Sequence, residues 1–193
     1  GEVGKVRYAY VFLLYGAGDK GYSSVREYFL GVVAAAFSLI RHGNVHHRVL
    51  LHTPDLDITE LRALAEETGV FDAITETQYI EASPCFFDNP NSHRRFGEVF
   101  TKYRVLGLTV YEKVLLLDAD LHIRANIDHL FELQPPAAMA RGPSKPPFGQ
   151  PIQRGAPVNA GVMLLRPSHD ALREVLAEIT GDRPRKLSNY NSP

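Results

Sequence analysis

Val114-Leu115-Leu116-Leu117-Asp118-Ala119-Asp120 decides the reading of this chain. Four large aliphatic residues in a row describe a strand buried on both faces. The strand then runs into two carboxylates separated by one small residue. Unpaired charge at the edge of a core is expensive, and like charges this close repel. A cation shared by Asp118 and Asp120 relieves both costs. In an extended chain the two side chains lie about 6–7 Å apart on one face, and a turn there aims both at one ion. Oxygen donors suit magnesium or manganese. Ala119 leaves room for a bulky ligand to approach the backbone, and a nucleotide diphosphate is the usual cargo of such an ion. The plainer alternative is a solvated turn after a strand.

Strands alternate with helices on either side of this stretch. Strands are predicted over Tyr8–Tyr15, His47–His52, Ala73–Thr77, Lys113–Leu117 and Val158–Leu165, with a short one near Ala138–Ala140. Helices are predicted over Val25–Arg41, Thr59–Thr68 (Thr59 as its cap and Gly69 after its end), Phe96–Thr109 and Ser168–Ile179, with a helical turn at Ile127–Phe131. Glu81–Arg95 and Gln134–Pro157 read as loops. The alternation predicts an α/β layered fold with a largely parallel sheet and ligands beyond the strands' carboxyl ends.

Composition narrows the classes. A length of 193 residues suits one domain over 1–193. A hydrophobic share of 45% and a charged share of 22% describe a folded protein with a sizeable core. The formal net charge of -1 marks neither a nucleic-acid binder nor a membrane-surface protein. Cys85 is the single cysteine, so no intrachain disulfide exists. A reducing, cytoplasmic compartment fits, and a disulfide-free secreted domain is compatible too. No apolar run approaches the roughly 20 residues of a membrane span.

Two further segments are candidates for the same site. Lys102, on the helix before the acidic strand, offers a point charge to phosphate; solvated surface is the alternative. Asn159-Ala160-Gly161 opens a hydrophobic strand after a long loop, and Asn both donates and accepts hydrogen bonds; an ordinary turn is the alternative. Gly16–Gly21 matches neither the dinucleotide fingerprint nor the P-loop. His42, His46, His47 and His52 lack a zinc spacing. Cys85 sits in no motif.

Taken in order, the segments resemble glycosyltransferase family 8, the group containing glycogenin and galactinol synthase. The matching stretches are Tyr8-Ala9-Tyr10-Val11, Tyr28, Gly31, Ser38–Gly43, Arg48–Leu51, Thr53-Pro54, Phe100–Tyr103, Tyr111–Asp120, Asn126–Phe131 and Asn159–Val162. The resemblance implies a GT-A type single domain, with a mostly parallel central sheet and helices on both faces. It also implies a UDP-sugar donor, a carbohydrate or other hydroxyl acceptor, and a retaining hexose transfer that depends on Mn2+ or Mg2+. It assigns the metal to Asp118 and Asp120, with Ala119 beside the donor. Tyr28 stacks on uracil next to Leu13, Leu14 and Tyr15. Lys102, with Arg94 or Arg95, meets phosphate or donor sugar, and Asn159, Ala160 and Gly161 contact the sugar. Lys102 and Asp120 are the expected catalytic pair.

Departures from the family pattern qualify this. Gly16–Glu27 stands where the family has a short turn. The later Gly-Gly-Asp-Gln-Gly and His-x-x-Gly-x-x-Lys-Pro-Trp segments, which carry a third metal ligand and a phosphate-binding lysine, are missing before Pro193, so the domain is expected to be incomplete at its C-terminal end. A non-catalytic nucleotide-sugar-binding module is the rival reading, and a nucleotidyltransferase a more remote one. A homodimer is compatible with the sequence. The donor sugar, acceptor and any self-glycosylation are not legible.

Overall fold

Alternation along β1 (Tyr8–Leu14) divides the core in two. Tyr10, Phe12 and Leu14 point into one hydrophobic cluster, and Ala9, Val11 and Leu13 into the other. β4 (Lys113–Leu117) repeats the pattern, with Leu115 and Leu117 on the first side and Val114 and Leu116 on the second. Helix α1 (Gly21–Arg41) covers the first side through Phe29, Val32, Ala35, Ala36 and Leu39. The 3-10 segment Val99–Gly107 and helix α3 (His169–Thr180) cover the second, through Val105, Leu106, Ala171, Leu172 and Val175. Full burial of each large side chain contributes about 1.5–3 kcal/mol.

The remaining elements are β2 (His47–His52), α2 (Thr59–Thr68), β3 (Ala73–Glu76), β5 (Ala137–Ala140) and β6 (Val158–Leu165). The computed structural model describes residues 7–16, 21–86, 97–141, 149–151 and 158–181. Arg94 and Arg95, most of the glycine-rich turn and the tail lie outside the described residues.

The sheet order is β3-β2-β1-β4-β6-β5. β1 pairs in parallel with β2 and β4, and β2 with β3, whereas β6 runs antiparallel to both β4 and β5. The largely parallel sheet expected from the alternation is therefore a mixed one. The reversal comes at β6, and it brings the first residues of that strand beside the last residues of β4.

Local chemistry differs from expectation at two helices. Thr59 does not cap α2. Ile58 occupies the cap position with no side-chain bond, and Asp57 Oδ1 accepts from Thr59 N at 3.0 Å. Gly69 ends that helix at φ 60°, as its position suggested. The segment after residue 96 winds as 3-10 turns over Val99–Gly107, not as an α-helix. It is fastened to the chain crossing it: Thr101 Oγ1 accepts from Ile80 N at 3.1 Å, and Arg104 donates to the carbonyls of Gln78 and Tyr79.

The Asn126–Phe131 motif serves the scaffold. The buried Tyr10 hydroxyl donates to Asp128, whose other oxygen accepts from Val45 N and Asn126 Nδ2. Asn44 Oδ1 accepts from Ile127 N at 2.8 Å. Burial and the adjoining Asp128 push the Tyr10 hydroxyl far above its usual range. This cluster binds the α1–β2 turn to the end of the sheet opposite the acidic pair.

At the acidic end, α1 leans on the Asp118–Asp120 turn through Gly31. A Cβ on Gly31 would stand 2.4 Å from the Ala119 carbonyl oxygen. Gly31→Ala therefore forces backbone apart, an overpacking cost of about 1–3 kcal/mol against the roughly 1 kcal/mol that Ala gains over Gly in a helix. A net loss of unfolding free energy in urea is expected; a gain would show that α1 is not pressed against the turn.

Candidate functional site

The strand order reverses direction at β1. β2 and β3 lie on one side of it and β4 on the other, so the crevice beyond the carboxyl ends of β1 and β4 is the natural ligand site of this sheet. Tyr15 and Gly16 leave β1 there, and Asp118 leaves β4. Asp118 N donates to Gly161 O at 2.9 Å, which sets the start of β6 against the same point. Asn159 folds back so that its Oδ1 accepts from Gly161 N at 2.7 Å. A Cβ on Gly161 would meet Asn159 Oδ1 at 3.0 Å and Asp118 Oδ2 at 3.1 Å. Glycine thus permits the close approach of Asn159 and Asp118, with Ala160 exposed between the two.

Asp118 already has a cation. Lys102 reaches across from the 3-10 segment and pairs with its Oδ1, the two side chains being 17% and 32% exposed. The need for positive charge at the strand end is met in part by the protein itself. Asp120 is exposed and has no hydrogen-bond or ion-pair partner among the described residues. The two acids are therefore unequal: one paired, one open to solvent. Their oxygens suit a hard divalent ion as two of its six or so ligands. No group of three or more His, Cys, Asp and Glu among the described residues could hold a metal.

On the β1 side, the Leu13 and Leu14 side chains point into the two halves of the core. Tyr15 is partly buried. Its hydroxyl is pushed above the ordinary range by burial first, then by the fields of Asp118, Glu98 and Tyr28. Tyr28 is 56% exposed on α1, which removes the alternative of a core residue.

Thr53, from the Thr53-Pro54 match, and two residues not singled out by sequence, Asp55 and Tyr79, complete this wall. Thr53 Oγ1 accepts from Gly16 N at 3.2 Å, and Tyr79 OH stands 3.1 Å from Gly16 O and 3.0 Å from Asp55 Oδ2. The Tyr79 ring meets Tyr15 edge-on, with centroids 6.4 Å apart. Thr53-Pro54-Asp55 was legible as the break after β2, but nothing local marks Tyr79.

A family model described as "Glycosyl transferase family 8" matches residues 21–175. The chain is 32% identical over 181 residues to an uncharacterized protein of Acanthamoeba polyphaga mimivirus, covering 89% of this chain and 59% of that one. It is 27% identical to the UDP-glucuronate:xylan alpha-glucuronosyltransferase 2 of Arabidopsis thaliana (89% and 24%) and 28% identical to glycogenin-1 of Oryctolagus cuniculus (77% and 41%). The chain thus spans well under two thirds of the length of these relatives. Its fold is similar to that of mouse xyloside xylosyltransferase 1 in its apo form, with a TM-score of 0.53, 20% identity and coverage of 88% and 70%. No helix among the described residues is long and apolar enough to cross a membrane.

The site has an alkaline signature. Tyrosines ionise near 10.0 when free, whereas burial and Asp55 hold the Tyr79 proton up to about 12. Over that window the folded chain binds more protons than the unfolded one, so this contribution to stability is complete below pH 10 and is lost as pH rises toward 12. In urea unfolding series across the window, Tyr79→Phe should make the fall of stability with pH shallower. An unchanged slope would place Tyr79 in open solvent.

Proposed function

Because the chain belongs to glycosyl transferase family 8, we propose that it forms the donor-binding part of a transferase that moves a hexose from a UDP-sugar to a hydroxyl acceptor with retention. The observation that carries this is the convergence of Asp118, Lys102 and Gly161 from three elements at the mouth of the β1–β4 crevice. In this reading Asp118 and Asp120 hold a manganese or magnesium ion together with the donor diphosphate. The ion supplies Lewis-acid charge to the departing diphosphate.

The chain's own residues divide the remaining work. Lys102 adds positive charge to the leaving group, where a preplaced cation stabilises charge that grows in the transition state. Asn159, Ala160 and Gly161 present small, polar surface to the sugar. Tyr28 offers an aromatic face to uracil, with Leu13, Leu14 and Tyr15 beside it; by family resemblance Arg94 or Arg95 meets phosphate or donor sugar. The Arabidopsis relative's name makes UDP-glucuronate the first donor to compare with neutral UDP-hexoses. A second reading, a non-catalytic nucleotide-sugar-binding module, is favoured by the pairing of Asp118 with Lys102 and the absence of a third ligand among the described residues. Manganese-dependent hydrolysis of UDP-sugar separates the two.

Calorimetric titration with UDP tests the site. Manganese should strengthen binding, and Asp120→Asn should remove that gain, with a loss of about tenfold or more in manganese and no change in fold. Equal UDP affinity with and without manganese overturns the metal assignment. Tyr28→Ala should weaken UDP binding by the roughly 1–3 kcal/mol of a lost base–aromatic stack and, because the ring is exposed, leave the thermal midpoint nearly unchanged. A large drop in the midpoint with unaltered affinity would show that Tyr28 supports the fold and does not touch the base.

A further inference from the structure

The peptide at which β1 ends is held from both sides by residues outside the strand. Thr53 Oγ1 takes the Gly16 N–H at 3.2 Å, and the Tyr79 hydroxyl lies 3.1 Å from the Gly16 carbonyl oxygen. Thr53 Oγ1 also donates toward that hydroxyl at 3.3 Å, and both Asp55 oxygens lie within 3.1 Å of it. The single phenolic proton is thus shared between a carboxylate and a peptide carbonyl. Asp55 sits so close over Gly16 that a Cβ there would fall 1.9 Å from Asp55 Oδ2. No side chain fits under this clasp, so glycine is the residue that allows it.

The clasp lies on the β1–β2 side of the crevice, and the acidic pair on the β4–β6 side. Its nearest neighbour in the site is the Tyr15 ring, which Tyr79 meets edge-on. We propose that Tyr79 and Asp55 are positioning residues that fix the Gly16 peptide, and through it the Tyr15 ring, as the wall that selects the base of the nucleotide. The inference rests on the reading of the crevice as a nucleotide-sugar site. A wall fixed by the clasp admits a one-ring pyrimidine and resists a two-ring purine. A wall released from its clasp accepts both. The diphosphate end, bound to Asp118, Asp120 and Lys102, is untouched by the change.

The test is equilibrium titration of the full 193-residue chain with UDP and with ADP, each with and without manganese. Tyr79→Phe keeps the ring and removes the hydroxyl; Asp55→Asn keeps the shape and removes the charge. Both variants should lose UDP affinity by about three- to tenfold, the range a single hydrogen bond of a positioning residue supports. ADP affinity should hold or rise, so the preference for UDP narrows while the strengthening by manganese stays as in the unaltered chain. An unchanged UDP-to-ADP ratio in both variants overturns the proposal, and so does an equal loss for both nucleotides, which marks a purely structural role. Failure of the wider reading looks different: the unaltered chain then shows no affinity for UDP, and the clasp falls with it.

Discussion

Lys102 against Asp118 is the interaction that lets an apolar strand end in charge. β4 is buried through Leu117, and the next residue carries a carboxylate. About a third of the Asp118 side chain reaches water, and Lys102 compensates the part that does not. The 3-10 segment that carries Lys102 is pinned by Thr101 and Arg104 to the chain after β3, so the lysine is delivered by an element that cannot drift. Fold and chemistry meet in one ion pair. Asp120 is left open as the part of the pair free to take a ligand.

The sheet's two ends have different duties. At one, Tyr10, Asn44, Asn126 and Asp128 form a closed polar cluster whose groups satisfy one another. At the other, polar groups converge with capacity to spare. A buried polar cluster that is fully paired specifies geometry, while one with open positions invites a ligand. This contrast separates the Asn126–Phe131 motif from the Asp118–Asp120 motif, although both lie in the same stretch of chain.

Much of this was legible because the periodicities are strong. Val114–Leu117 followed by two acids, and the alternation of strands and helices, placed β1, β2, β4 and β6 within a residue or so of where they lie. The antiparallel course of β6 was not legible, because an eight-residue apolar run carries no sign of direction. The resemblance sets Leu13 and Leu14 beside Tyr28, and period-two burial sends their side chains into the two halves of the core. The clasp on Gly16 escaped notice because its members come from three separate places in the sequence, and a tyrosine gains meaning only from what it faces. The start of α2 is a smaller case: Asp57 Oδ1 takes the Thr59 N–H, and the cap position falls to Ile58, which has no side-chain acceptor.

Gly31 ties the two halves of the crevice together. It lies one helical turn, about 4.5 Å of rise, beyond Tyr28 on α1, and its bare Cα rests on the Ala119 carbonyl between the two acids. The aromatic face and the acidic turn therefore share one rigid mount. The span between them works as a gauge of fixed length, set by backbone contact and not by side chains that mutation can easily resize. Divergence in such a protein has more freedom at Asn159–Gly161, which sit on their own strand, than in the distance separating Tyr28 from the acidic turn.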